Sequence, residues 1–180
     1  MNGRTLRVAA AVSCAVSLSS VLIVSDSAGA SPTNGGPAPV ITLSVPAVST
    51  STAGSGTTPT AAAADVVCNA VVNNPHWSRN GSTILYKTTV TCDGVAEVNV
   101  EGYLFGGPQI GPGLQLASSN ETQTAAPGVT LTFYTPQIGS AKVPCTTGEY
   151  YQGYSYITAT IGTSTSESSG PSNKVPATCP

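Results

Sequence analysis

The segment Ala96-Glu97-Val98-Asn99-Val100-Glu101-Gly102-Tyr103-Leu104-Phe105 decides the fold class. Side chains of a strand alternate between two faces. Ala96, Val98, Val100 and Leu104 therefore share one side, and Glu97, Asn99, Glu101 and Tyr103 share the other. The first side belongs in a core and the second in water. Tyr150 to Ile161 shows the same period, with Ile157, Ala159 and Ile161 on a buried side. Its even residues, Tyr150, Gln152, Tyr154, Tyr156, Thr158 and Thr160, form a stripe of tyrosines followed by threonines. Working outward, further strand-like runs cover Val66 to Val72, Ile84 to Cys92, Leu114 to Ser119, Val129 to Thr135 and Lys174 to Cys179. Ser140 to Val143 and Thr163 to Ser166 are weaker candidates. The connectors carry turn residues: Asn73-Asn74-Pro75, Asp93-Gly94, Gly106-Gly107-Pro108 and Ala126-Pro127-Gly128. No stretch keeps a helical period over three turns. Many short strands at this spacing predict an all-β chain, a single antiparallel β-sandwich of immunoglobulin-like architecture.

The 180 residues are not all available to that domain. Arg4 and Arg7, the uncharged apolar run Val8 to Val24, and Ala28-Gly29-Ala30 make up the three parts of a secretory signal peptide over 1–30. From Ser31 to Ala64, 28 of 34 residues are Ser, Thr, Gly, Ala or Pro and none is charged. That composition buries too little apolar surface to offset its ordering entropy, so 31–64 is expected to be a disordered linker. Val40 to Val45 is its one strand-like interruption, tightly bracketed by Pro39 and Pro46. Docking of that run as an edge strand is the alternative. The domain is expected over 65–180, with no membrane span once the signal is removed.

Cys14 falls inside the apolar run, leaving Cys68, Cys92, Cys145 and Cys179. An even count in an exported chain implies disulfides, with three possible connectivities. Cys68 and Cys92 are symmetric about Asn80-Gly81, and Cys145 and Cys179 about Gly162, both of them turn signals. Symmetry about a hairpin turn places cysteines on facing strands, which favours Cys68–Cys92 and Cys145–Cys179.

Composition narrows the chemistry. The sequence contains one histidine, His76, so a multi-histidine zinc site is excluded. After the signal, Arg79, Lys87, Lys142 and Lys174 stand against seven acidic residues, which excludes a basic nucleic-acid surface. There is no Gly-x-Ser-x-Gly elbow, no calcium-loop spacing and no phosphate loop, so no catalytic residue, metal ligand or cofactor is expected. Glu97 and Glu101 lie about 13 Å apart along one strand, too far for a glycosidase pair, unless a second strand brings Glu149 near. His76 and Trp77 fall in the connection after the first strand of the domain, as a ligand contact or as loop and core-capping residues.

The run Cys68-x-x-Val71-Val72-Asn73-Asn74-Pro75-His76, with Thr91-Cys92, Cys145, Gly153-Tyr154 and Cys179, resembles small exported proteins of Streptomyces-type actinobacteria. That resemblance implies a disulfide-bonded β-sandwich outside the cell. It carries over no functional residue.

The residues point to a secreted, non-enzymatic binding or surface-associated module for an extracellular polysaccharide or a partner protein. Tyr150, Tyr154 and Tyr156, with Trp77 and His76, are the candidate contacts. Two rivals remain: a protease inhibitor acting through the loop Phe105 to Leu114, and a carboxylate-based glycoside hydrolase.

Overall fold

The computed structural model describes residues 36–47, 64–80 and 82–179. The expected signal peptide, most of the expected linker, and Gly81 lie outside them. The described residues form ten strands: β1 (Val40–Val45), β2 (Val66–Val72), β3 (His76–Ser78), β4 (Thr83–Cys92), β5 (Ala96–Gly107), β6 (Leu114–Ala125), β7 (Thr130–Thr135), β8 (Tyr150–Ile161), β9 (Ser164–Pro171) and β10 (Val175–Pro176). They build two five-stranded antiparallel sheets. In the first, β1 pairs β2, β2 and β3 pair one stretch each of β4, and β7 also pairs β4. In the second, β8 lies between β5 and the pair β9 and β10, and β6 flanks β5. The sheets face one another as a β-sandwich with its own strand order. No helix among the described residues is long and apolar enough to cross a membrane.

The alternation of β5 holds as read: Ala96, Val98, Val100 and Leu104 are buried, and the intervening residues face outward. Ala96, Val98 and Val100 meet Leu43, Val45, Cys68, Ala70, Val90 and Phe133 of the first sheet in one continuous core. A second cluster at the other end gathers Val72, Ile84, Tyr86, Leu104, Val143 and Tyr151. Among the described residues, every buried side-chain polar atom has a hydrogen-bond partner.

Both disulfides join the expected partners. Cys68 faces Cys92 directly across β2 and β4, as the turn symmetry requires. Cys145 and Cys179 are not on facing strands: the first lies in the β7–β8 connection and the second beyond β10. They come together at the end of one edge of β8, along which β9 and then β10 run antiparallel from the β8–β9 turn, with a one-residue slip between them. There Gly162, at φ +59°, takes the left-handed position of a two-residue turn. Closing loops with sequence separations of 24 and 34 residues stabilises the fold by about 3–4 kcal/mol each in the chain-entropy model.

Three expectations are corrected. Val40–Val45 does not belong to a linker but pairs with β2 from end to end. Leu43 and Val45 point into the core and are fully buried, and a strand at the sheet edge tolerates flanking prolines. His76 and Trp77 lie in strand β3 rather than in a loop. The run at Leu114 continues to Ala125 through Asn120, Glu121, Thr122 and Gln123, which no apolar alternation marks. Its inward residues are polar and bond β7 instead: Ser119 Oγ lies 2.7 Å from Thr135 Oγ1, and Gln123 Nε2 donates to Thr132 O.

Candidate functional site

The outer face of β5 and β8 carries an aromatic platform. Tyr103 and Tyr154 are direct cross-strand partners, Glu101 faces Tyr156, and Phe105 faces Gln152. Because side chains on one face of paired strands stand side by side, this register groups four rings. Tyr154 and Tyr156 have ring centroids 5.1 Å apart, Tyr103 and Tyr156 6.1 Å, and Tyr103 and Phe105 6.5 Å. Tyr156 remains 51% exposed.

Polar groups fix and border the rings. The Tyr103 hydroxyl donates a very short hydrogen bond to the Glu101 carboxylate. That bond holds the Tyr103 phenol above its ordinary pKa, with desolvation and the neighbouring charges of Glu101 and Tyr156 acting in the same direction. The Tyr154 hydroxyl lies 3.0 Å from Ser169 Oγ on β9. On the β6 side, Asn99 Nδ2 donates to Asn120 Oδ1 and to Thr122 Oγ1. Aromatic faces edged by amide, hydroxyl and carboxylate groups suit a ligand with both apolar faces and hydroxyl edges.

The platform is held from beneath by one core residue. Tyr86 reaches across from the first sheet and is fully buried. Its hydroxyl accepts from the Tyr103 N–H (3.0 Å) and donates to the Tyr154 carbonyl (2.7 Å), bridging the backbones of the two platform partners. Ser155 Oγ lies 3.1 Å from the same oxygen and 2.7 Å from Thr88 Oγ1. Glycines make this approach possible: a Cβ at Gly153 would sit 2.7 Å from the Tyr86 ring, and one at Gly102 would sit 2.7 Å from its hydroxyl. Burial pushes the Tyr86 phenol up from its ordinary pKa near 10, against hydrogen bonds to Ser155, Thr135 and the two backbones.

At one end the platform runs into a groove of about 250 Å³. Phe105, Gln152 and Lys174 line it, and the β5–β6 loop at Gly111, Pro112 and Gly113 walls it. A register shift between Leu104 and Phe105 marks a bulge against β6 there, a feature that re-aims side chains.

The sequence-derived site is thus partly reassembled. Tyr154 and Tyr156 meet, whereas Tyr150 makes no ring contact with them and lies opposite Gly107, four residues along β8. Tyr103 and Phe105 replace it. Alternation already put Tyr103 on the wet face, but nothing local shows that β5 pairs with β8. Trp77 packs against the second core cluster as a capping residue. His76 is exposed, its Nδ1 3.3 Å from the Asn74 carbonyl oxygen. Both residues belong to the first sheet and line a separate groove of about 520 Å³.

The carboxylates offered as a catalytic pair do not converge. Glu101 faces Tyr156, while Glu149 precedes Tyr150 at the far end of β8, about 23 Å away at the strand rise. Among the described residues, no group of three or more His, Cys, Asp or Glu side chains is placed to hold a metal.

No family model and no curated protein matches the chain. A solved structure similar to it is the ligand binding region of serine-glutamate repeat protein A of Enterococcus faecium. The two are 9% identical with a TM-score of 0.29, over 62% of this chain and 99% of the other. A likeness at that level carries no argument about function.

Proposed function

We propose that this protein is a non-enzymatic extracellular binding module whose platform takes a polysaccharide. The observation that carries the reading is the cluster of Tyr103, Phe105, Tyr154 and Tyr156 on one outer sheet face, edged by hydrogen-bonding groups. Sugar rings present apolar C–H faces and hydroxyl edges, and such a surface matches both at low side-chain entropy cost. The two disulfides support an oxidising, extracellular setting.

Affinity electrophoresis and calorimetry against a panel of soluble polysaccharides test it. Tyr154→Ala and Tyr156→Ala are each expected to weaken binding at least tenfold, as for a centrally placed aromatic contact. Trp77→Ala is expected to lower stability and leave the affinity of the folded fraction unchanged. Binding that survives the Tyr154→Ala/Tyr156→Ala double substitution overturns the platform.

One observation favours a second reading. Ile110, 89% exposed, projects from the β5–β6 loop, which the Lys174 ammonium ties down at the Gly111 carbonyl, and Leu114, 77% exposed, begins β6 beside it. A loop of this kind fits the cleft of a secreted protease. Loss of protease inhibition on Ile110→Gly would favour it.

A further inference from the structure

We propose that the groove at the Phe105 end of the platform is a subsite for the carboxylate of a uronic acid, so that the ligand is an acidic polysaccharide lying in one direction. The inference rests on the polysaccharide reading and deepens it.

Three observations converge on the groove. The first is shape. The face is open along Tyr156, Tyr154 and Tyr103 and becomes concave only beyond Phe105, where the Gly111–Gly113 loop rises beside it. The volume of about 250 Å³ accommodates a single sugar ring rather than a longer segment.

The second is charge. Only four basic residues follow the expected signal, and three of them lie on the first sheet or its loops: Arg79 after β3, Lys87 in β4 and Lys142 in the β7–β8 connection. Lys174 is the one at this face. Its ammonium spends one hydrogen bond on the Gly111 carbonyl (2.9 Å) and has two protons left for a ligand. The opposite end of the face carries Glu97 and Glu101 on β5 and, outward on β9, Glu167, while Glu149, beyond Tyr150 at the groove end, accepts from the Tyr151 hydroxyl of the second core cluster. Glu101 lies four residues from Phe105, roughly 13 Å along the strand. An anionic sugar is therefore repelled at one end and attracted at the other, which fixes direction as well as preference.

The third is hydrogen bonding. Gln152 faces Phe105 and donates its Nε2 to the Ser172 carbonyl, so its Oε1 is left to accept from a sugar hydroxyl beside the ring. Together, Phe105 stacks the ring, Gln152 takes a hydroxyl and Lys174 takes the carboxylate.

The test uses the full chain with oligogalacturonate and with its fully methyl-esterified counterpart, which keeps the backbone and removes the charge. Oligomannuronate and its ester form a second pair. The free acid is expected to bind about fivefold more tightly than the ester at low ionic strength, and the preference should shrink with added salt, as for a partly exposed ion pair. Lys174→Gln should erase the preference by bringing acid and ester to the same affinity, and Lys174→Arg should retain it. Tyr154→Ala should weaken acid and ester alike. Equal affinity for acid and ester, or a Lys174→Gln loss that is the same for both, overturns the subsite and leaves the platform standing. If neither these pairs nor the neutral panel binds, the platform reading fails and the subsite falls with it.

Discussion

Removing the single hydroxyl of Tyr86 tests how the platform is held. Tyr86→Phe keeps the ring, so the packing against Leu104 and Tyr151 persists and no large cavity opens. The oxygen, however, is the acceptor of the Tyr103 N–H and the donor to the Tyr154 carbonyl. A buried donor left without a partner costs about 1–3 kcal/mol, and the abandoned carbonyl adds a smaller amount because its second lone pair is unaffected. Ser155 keeps its bond to Thr88 and adds little. The expected loss is about 2–4 kcal/mol, or roughly 6–12 °C in melting temperature for a domain of this size. Urea unfolding with disulfides intact, followed by Trp77 fluorescence, measures it. The denaturant slope should not change, since the same surface is exposed on unfolding. Amide exchange at Tyr103 should accelerate in the native state, which a general loss of packing would not confine to that position. A loss below about 1 kcal/mol, with Tyr103 exchange unaltered, refutes the bridging role.

Further outcomes follow from the same geometry. Gly153→Ala forces a Cβ against the Tyr86 ring carbons at 2.7–2.8 Å, and the strain of about 1–3 kcal/mol should appear in calorimetry as a lowered melting temperature. A chain beginning at Ala64 lacks β1 and the fully buried Leu43 and Val45, and chemical denaturation should register a loss of about 3–6 kcal/mol. No loss would mean that β1 only lies against the sheet. Because burial holds the Tyr86 phenol above its ordinary value, its share of stability is fully present below about pH 10. That share is lost as pH rises further, since the unfolded phenol ionises first. Urea midpoints measured between pH 8 and 11.5 should fall only above about pH 10, and Tyr86→Phe should reduce that slope.

Much of the framework was legible in the chain because it depends on local chemistry. The alternation of Ala96 to Phe105 needs only one strand and one core to be read, and it assigned the burial of Val98, Val100 and Leu104 correctly. Turn residues at Asn80 and Gly162 likewise act within a few positions, and their symmetry carried the cysteine pairing. β6 was invisible beyond Ser119 because its inward side is satisfied by hydrogen bonds to β7, and hydrophobic periodicity reports only burial of apolar groups.

What the sequence determined by itself was therefore the set of faces on the strands with apolar alternation, β5 and β8 above all, and which cysteines can meet. Tertiary structure alone decided which faces stand next to each other. Tyr103 and Tyr154 are fifty-one residues apart, and their pairing depends on β5 and β8 lying side by side over Tyr86, with Gly102 and Gly153 making room for it. The same long-range packing excluded Tyr150 and brought in Phe105. It also drew β1 out of an uncharged segment, because Leu43 and Val45 complete a core whose other walls lie far along the chain. Alternation is a property of one strand, whereas register between distant strands is a property of the assembled core.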